Sequence, residues 1–425
     1  MTYDAIVMGA GYAGLMAAYN LMRAGQKVLL LAKGYGRTHL ATGMVDVLGY
    51  ANGERVAQPL EAVTQLGQAK PTHPYARLAP DSVRLGVEVF LSAMAEAGYP
   101  FAGSLEENAL LPTAVGAVRP AAFVPPTMLA GDVREKAPIL IVGFNNFKDF
   151  YPELIAANLQ SSNSPIQARA LTLTLPTLEN DADLAPMILA RAFERADFRR
   201  KLATLLKPQL KAGERVGFPA VLGIDKALEV LSDLQTQLGV RVFEIPSLPP
   251  SIPGIRICHA LEKLLRQGGA RVQIGHPIVE VRVSGTKVEA VAVKSAARLK
   301  WYTARQFVLA TGGIAAHGIE VDSTGAARET LFNLPLANVP APGQPRFNPA
   351  YFAEHPFSEI GLPTDSAMRP LDANGQPVLE NLRVCGALLA GAEPWKEKSG
   401  EGISLASAYQ VALSIRKKLN VKRSA

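Results

Sequence analysis

The sequence predicts an α/β chain: a Rossmann-like dinucleotide-binding fold, three-layered, with a parallel sheet plus a β-meander, interrupted by an inserted α/β cap domain. Three observations predict it. The N-terminus reads as strand, Gly-rich turn, helix and strand; residues Arg271 to Ala310 alternate apolar and polar side chains as hairpins do; and Gly-rich turns recur near the C-terminus with a helix behind them. A length of 425 residues suits two domains and excludes a single small module. With 48% hydrophobic and 19% charged residues the chain can bury a large core, so it is neither disordered nor fibrous.

Tyr3 to Met8 is a β-type apolar run, followed by Gly9-Ala10-Gly11-Tyr12-Ala13-Gly14 and a helical pattern of Leu15, Ala18, Leu21 and Met22 that Gly25 closes. A second apolar strand, Lys27 to Ala32, follows at once. In a G-x-G-x-x-G turn the first Gly permits the tight turn, the second lets backbone approach a pyrophosphate, and the third lets helix and strand pack closely. The helix N-terminus adds N–H groups and partial positive charge. Asp4 precedes the uncharged run Ala5 to Met22 and glycines interrupt it, so it is read as this βαβ unit and not as a signal or membrane-spanning segment. A carboxylate is expected at the end of the second strand to accept from a ribose hydroxyl, but the strand ends Leu31-Ala32-Lys33-Gly34. The contact then falls to backbone or another side chain, or the nucleotide lacks its adenosine half. FAD is favoured over NAD, with FMN the alternative.

Between Ala51 and Ser247 the nucleotide pattern stops. Ser82 to Ala97 is an amphipathic helix ended by Gly98; Ile139-Leu140-Ile141-Val142-Gly143 begins another βαβ-like unit; and Asp225 to Leu238 carries Leu228, Leu231, Leu234 and Leu238 before Gly239 and a short strand. This is α/β character without a second Gly fingerprint. The expected organisation is therefore a discontinuous nucleotide-binding domain, 1–50 and 248–425, with a cap at 51–247 and a basic tail at 416–425.

The later segments are Val279, Val281 and Val283 against Val288, Val291 and Val293 with Gly285 at the turn, leading to Phe307-Val308-Leu309-Ala310-Thr311-Gly312-Gly313. Then Glu380 to Ala387 leads through Gly391 to Gly400-Glu401-Gly402-Ile403-Ser404-Leu405. With the N-terminal unit, these resemble the three scattered elements of the FAD/NAD(P)-binding fold of the glutathione-reductase and succinate dehydrogenase/fumarate reductase type. The resemblance implies that the final helix points its N-terminus at the pyrimidine end of a flavin, where its dipole stabilises negative charge. The residue after the Gly of the penultimate motif, often acidic in that fold, is Ala387 here. Lys33 followed by Arg37-Thr38-His39 is similar to the stretch carrying the flavin-linked histidine of the succinate dehydrogenase family, but non-covalent binding is expected over covalent.

A closer resemblance rests on His73-Pro74-Tyr75, on Ile139 to Gly143 followed by Asp149-Phe150, on Leu248-Pro249-Pro250-Ser251 through Gly254-Ile255-Arg256, and on Arg266-Gln267-Gly268-Gly269. It continues through Gly361, Thr364-Asp365, Arg369-Pro370 and Glu380-Asn381-Leu382. Over nearly its whole length the chain is similar to the B-type subunit family of the anaerobic glycerol-3-phosphate dehydrogenase. The resemblance implies oxidation of sn-glycerol 3-phosphate to dihydroxyacetone phosphate with electrons passed to quinone. It further implies a catalytic flavoprotein subunit and an iron–sulfur, membrane-anchoring subunit as partners, and a cytoplasmic chain held peripherally at the inner face of the bacterial membrane. Two other functions stay open: a subunit that relays electrons or only stabilises the complex, and a free-standing flavin oxidoreductase with another substrate or NAD(P)H.

The cofactor-binding candidates are Gly9, Ala10, Gly11, Tyr12, Ala13, Gly14, Lys33, Thr42, Gly43, Val281, Thr311, Gly312, Gly313, Gly386, Gly391, Ser404 and Leu405. An alcohol dehydrogenation needs a base for the hydroxyl proton and a cation for a phosphate. His39, His73, His317 and His355 are base candidates, and Arg256 and Arg369 anion-binding candidates. Only Cys258 and Cys385 are present, which excludes a disulfide framework and a four-cysteine cluster within the chain, and no metal site is expected. Bound flavin must therefore unload its electrons elsewhere. The net charge of +7 invites a nucleic-acid reading, but Arg416, Lys417, Lys418, Lys422 and Arg423 supply five of the seven. A second basic stretch, Asp197 to Arg215, has no aromatic residue interleaved with its bases, so no nucleic-acid surface is expected.

Overall fold

The computed structural model describes residues 2–162, 165–175, 183–295, 298–350 and 353–421. The chain divides into two compact units, one of Met1–Arg37, Asp46–Ala97 and Ala260–Ala425, the other of Thr38–Val45 and Gly98–His259.

The main elements of the first unit are β1 (Thr2–Met8), α1 (Tyr12–Arg23), β2 (Val28–Ala32), α2 (Ser82–Glu96), β3 (Arg271–Ile274), β4 (Ile278–Ser284), β5 (Lys287–Ser295), β6 (Arg298–Leu309), β7 (Leu382–Val384) and α3 (Gly400–Val421). Five strands run parallel in the order β3-β2-β1-β6-β7. All of β2 and the last four residues of β1 are buried, and both are near-continuous aliphatic runs, as strands covered on both faces must be. The twelve residues of β6 join the parallel and antiparallel parts of one seven-stranded sheet. Its first half pairs antiparallel with β5, and its second half runs parallel to β1 and β7. Strands β4 and β5 complete the meander across Gly285, whose φ of +53° fits a tight turn with glycine at its first central position.

The second unit holds a four-stranded parallel sheet in the order Ala168–Leu173, Ile139–Phe144, Arg215–Pro219, Val242–Ile245. Phe144 and Phe218 stack with centroids 6.2 Å apart, Phe193 meets both edge-on or tilted, and a continuous aliphatic core surrounds them. The helix read at Asp225 to Leu238 is Ala227–Leu238, closed by Gly239 in the left-handed conformation.

The boundaries differ from those read in the sequence. Residues 51–97, expected in the cap, fall in the nucleotide-binding unit, and 38–45 and 248–259, expected in the nucleotide-binding domain, fall in the second unit. Packing is the reason: α2 lies against α3 so closely that a Cβ at Gly86 would stand 2.6 Å from the Leu405 carbonyl oxygen. Helix α3 runs on to Val421, so the first residues of the expected tail continue the helix, while Lys422 to Ala425 lie outside the described residues.

Candidate functional site

Parallel strands deliver their loops to one edge. Met8 pairs with Leu31 and Leu309, and Leu309 with Val384, so the turns at Gly9, Lys33, Thr311 and Gly386 all leave the same end of the sheet. There the chain is shaped by missing side chains. Gly9 has φ +121°, and a Cβ on it would lie 2.2 Å from the Ala310 carbonyl oxygen; one on Gly14 would lie 2.0 Å from the Gly9 carbonyl oxygen. Gly11 caps α1 without a side-chain hydrogen bond, and first-turn amides have no intrahelical acceptor, which leaves N–H groups and a positive dipole end facing the edge. The Thr311 hydroxyl is buried there without a hydrogen-bond partner, and Gly312 has φ +82°. Lys33 is exposed at the end of β2.

The C-terminal turn joins the same edge. Gly386 has φ +75°, a Cβ on it would lie 2.7 Å from that of Ala13 and 3.8 Å from the Ser404 hydroxyl, and its amide donates to the Ser407 hydroxyl at 3.0 Å. Ala387 places its carbonyl oxygen 2.6 Å from where a Cβ of Gly313 would be. A Cβ on Gly391 would lie 2.3 Å from the Thr72 carbonyl oxygen. Ser407 went unnoticed in sequence; its only signal is a hydroxyl one turn after Ser404 in an apolar helix. Cys385, fully buried, has its thiol pushed up to about 12 by burial and is inert. Val281 sits midway along β4, opposite Val291 in the meander.

The remaining candidates are dispersed. His73 has a fully buried side chain: Nδ1 accepts from the Tyr75 amide at 3.1 Å, which places the proton on Nε2, and Nε2 donates to Glu397 at 3.2 Å. Burial pushes the Glu397 carboxyl up, but hydrogen bonds from His73, Ser399 and the Glu393 amide outweigh it and hold the carboxyl below its usual range. Tyr75 donates to the carbonyls of Val47 and Ser399, and burial together with Glu397 and Glu401 raises its phenol well above normal. This lattice fixes the turn ahead of α3. With both ring nitrogens committed, His73 is a positioning residue and not a base. His355 is buried beside Trp395 and Phe347, its Nδ1 accepting from the Asn348 amide. His317 is exposed, in the left-handed conformation at the end of a single 3-10 turn. Arg369 bonds Asp365 at 2.7 Å.

In the second unit, Arg256 is not an anion receptor. Its guanidinium donates to both Glu244 oxygens, at 2.6 and 2.8 Å, and to the Gly223 carbonyl, Tyr99 and Thr127, and its side chain is 3% exposed. Gly43, at φ +83°, packs on Pro253, and the Thr42 hydroxyl accepts from the Met44 amide. His39 is half-buried, and burial, then the neighbouring His259, lower its pKa and favour the neutral imidazole. Among the described residues no group of three or more His, Cys, Asp or Glu gathers as metal ligands, and no helix is long and apolar enough to cross a membrane.

A glycine cradle, an uncapped helix end and an orphaned buried hydroxyl on one sheet edge fit a dinucleotide diphosphate, and with the meander they define an FAD-binding flavoprotein fold. Residues 4–403 match the family described as FAD binding domain; the chain belongs to that family, and FAD is its cofactor. It is 35% identical to the probable B-type subunit of the anaerobic glycerol-3-phosphate dehydrogenase of Halobacterium salinarum, over 96% of each chain. It is 29% identical to the B-type subunit of the same enzyme from Yersinia pestis over 98% of each chain, and to that from Vibrio cholerae serotype O1 over 98% of this chain and 97% of that one. Among solved structures, 3-ketosteroid delta1-dehydrogenase from Sterolibacterium denitrificans aligns over 98% of this chain and all of its own at 14% identity, with a TM-score of 0.45. The chain belongs to the B-type subunit family of the anaerobic glycerol-3-phosphate dehydrogenase, as a flavin oxidoreductase subunit.

Proposed function

We propose that the chain itself oxidises sn-glycerol 3-phosphate to dihydroxyacetone phosphate and passes the electrons through a partner subunit to a quinone. The observation that carries this reading is the full-length likeness to relatives bearing that enzyme's name, joined to a glycine cradle that fits FAD. Bound FAD supplies an acceptor for the hydride leaving the alcohol carbon. The chain's own work is to hold and polarise. The first-turn amides of α1 with Gly9 and Gly11 would take the diphosphate, Thr311 would donate to the cofactor, and the N-terminus of α3 around Ser404 and Leu405 would favour negative charge on the flavin. With the ribose carboxylate replaced by Lys33, and Ala387 in the second acidic position, binding rests on backbone and helix ends.

The two cysteines cannot hold a cluster, so electrons leave to an iron–sulfur subunit, which would also place this chain peripherally on the cytoplasmic face of the membrane beside a catalytic flavoprotein subunit. A second reading, an electron-relay or structural subunit without substrate chemistry, is favoured by the commitment of Arg256 and Arg369 to carboxylates. Anaerobic addition of glycerol 3-phosphate to the FAD-loaded chain separates the two: bleaching supports substrate oxidation, and unchanged flavin supports relay.

A further inference from the structure

The helix Ala196–Leu206 in the second unit turns Phe198, Arg199, Leu202, Ala203 and Leu206 inward and leaves Arg200, Lys201, Thr204 and Leu205 exposed. At 100° per residue these four fall within one sector of the helix. The single 3-10 turn Lys207–Gln209 extends that surface with exposed Lys207. The nearby acids are already engaged. Asp197 pairs with Arg195, Glu229 and Asp233 with buried Arg199, and Glu214 with Arg169. Among the described residues Arg200, Lys201 and Lys207 have no ion pair, although Arg200 lies near enough to Asp233 to lower its pKa. Lys211 follows, its amide bonded to Glu214. The result is a surface of net positive charge, the Asp197–Arg195 pair within it, set around an aliphatic side chain, Leu205, 40% exposed.

We propose that this face docks the chain on an anionic lipid surface. Charge complementarity requires a negative partner, and composition selects which one. Lysine is depleted from protein–protein interfaces, whose binding energy rests on aromatic and arginine anchors in pockets. Among the described residues this face has two lysines among its three unpaired cations and no aromatic ring. Clustered lysine and arginine are instead the side chains that an anionic headgroup layer attracts, and an exposed aliphatic residue beside them adds apolar area to bury there. The attachment belongs to the second unit, is independent of residues 416–425, and does not rest on the proposed substrate chemistry.

The test floats the FAD-loaded full-length chain with vesicles of phosphatidylglycerol and phosphatidylcholine, or of phosphatidylcholine alone. Binding is expected only to the anionic vesicles, falling as salt rises. The variant Arg200→Glu/Lys201→Glu/Lys207→Glu should bind about a hundredfold more weakly or worse. A control reversing three exposed cations elsewhere, Lys263→Glu/Arg271→Glu/Lys287→Glu, should keep most of the binding. Should the triple variant misfold, read by flavin content, Lys201→Gln/Lys207→Gln replaces it, with a loss of about tenfold or more expected. Failure of the wild-type chain to float with anionic vesicles overturns the proposal, as does equal loss in the control. Either result leaves an acidic protein as the occupant.

Discussion

The two units solve the same problem, how to bury polar backbone and charge, in opposite ways. At the sheet edge of the first, the chain is shaped by atoms that are absent: Gly9, Gly14 and Gly386 sit so close to their neighbours that no Cβ fits. In the second, a full charge lies in the interior, Arg256 against Glu244, with every neighbour arranged to satisfy it. The first is intolerant for steric reasons and the second for electrostatic ones. Substitution should therefore separate cofactor binding from stability.

The largest effect is expected at the cradle. Gly14→Val should purify with almost no FAD, because the side chain must displace the Gly9 carbonyl; the flavin-to-protein ratio measures it, and a wild-type ratio would show that the turn is not where the diphosphate binds. Next comes Glu244→Ala, which strands the Arg256 charge. A loss of about 3–5 kcal/mol in denaturant unfolding is expected, and replacing both residues together, as in Glu244→Leu/Arg256→Met, should restore most of it. If the single and double variants were equally unstable, packing and not charge would be the cause.

A smaller loss, about 2 kcal/mol, is expected for His73→Ala, from the hydrogen bond to the Glu397 carboxylate. Its pH dependence has a definite sign. The folded-state pKa of Glu397 is depressed, so its contribution is complete above the unfolded value, about 4.3 for a free glutamate, and is lost as pH falls through the lower folded value. The stability gap between wild type and His73→Ala should accordingly narrow only on the acid side. Arg369→Ala should do least, at most about 1 kcal/mol with an unchanged KM for glycerol 3-phosphate, because its partly exposed pair with Asp365 is local. A large rise in KM would return Arg369 to the phosphate site.

The first unit was legible where its signals were local. Glycine spacing, aliphatic strands and the Gly285 turn are each fixed within a few residues, and they specify both the βαβ unit and the meander. What failed to show was partnership. The amphipathic pattern of Ser82 to Glu96 fits any core, and only its seat on α3, with Gly86 against Leu405, assigns it to the nucleotide-binding unit. Arg256 looked like an anion receptor because a sequence displays a charge without the carboxylate that folding brings to it. His73 looked like a base because its bond to Glu397 spans 324 positions. Candidate cofactor residues could be read from turns, whereas candidate catalytic groups depend on contacts that no spacing encodes.

The most direct test of the account is the anaerobic absorbance spectrum of the purified full-length chain before and after glycerol 3-phosphate is added. A bound, acid-extractable FAD whose visible bands bleach on addition of the substrate alone is expected. A chain that purifies and reconstitutes without flavin, or one whose flavin keeps its colour in the presence of glycerol 3-phosphate, would contradict it.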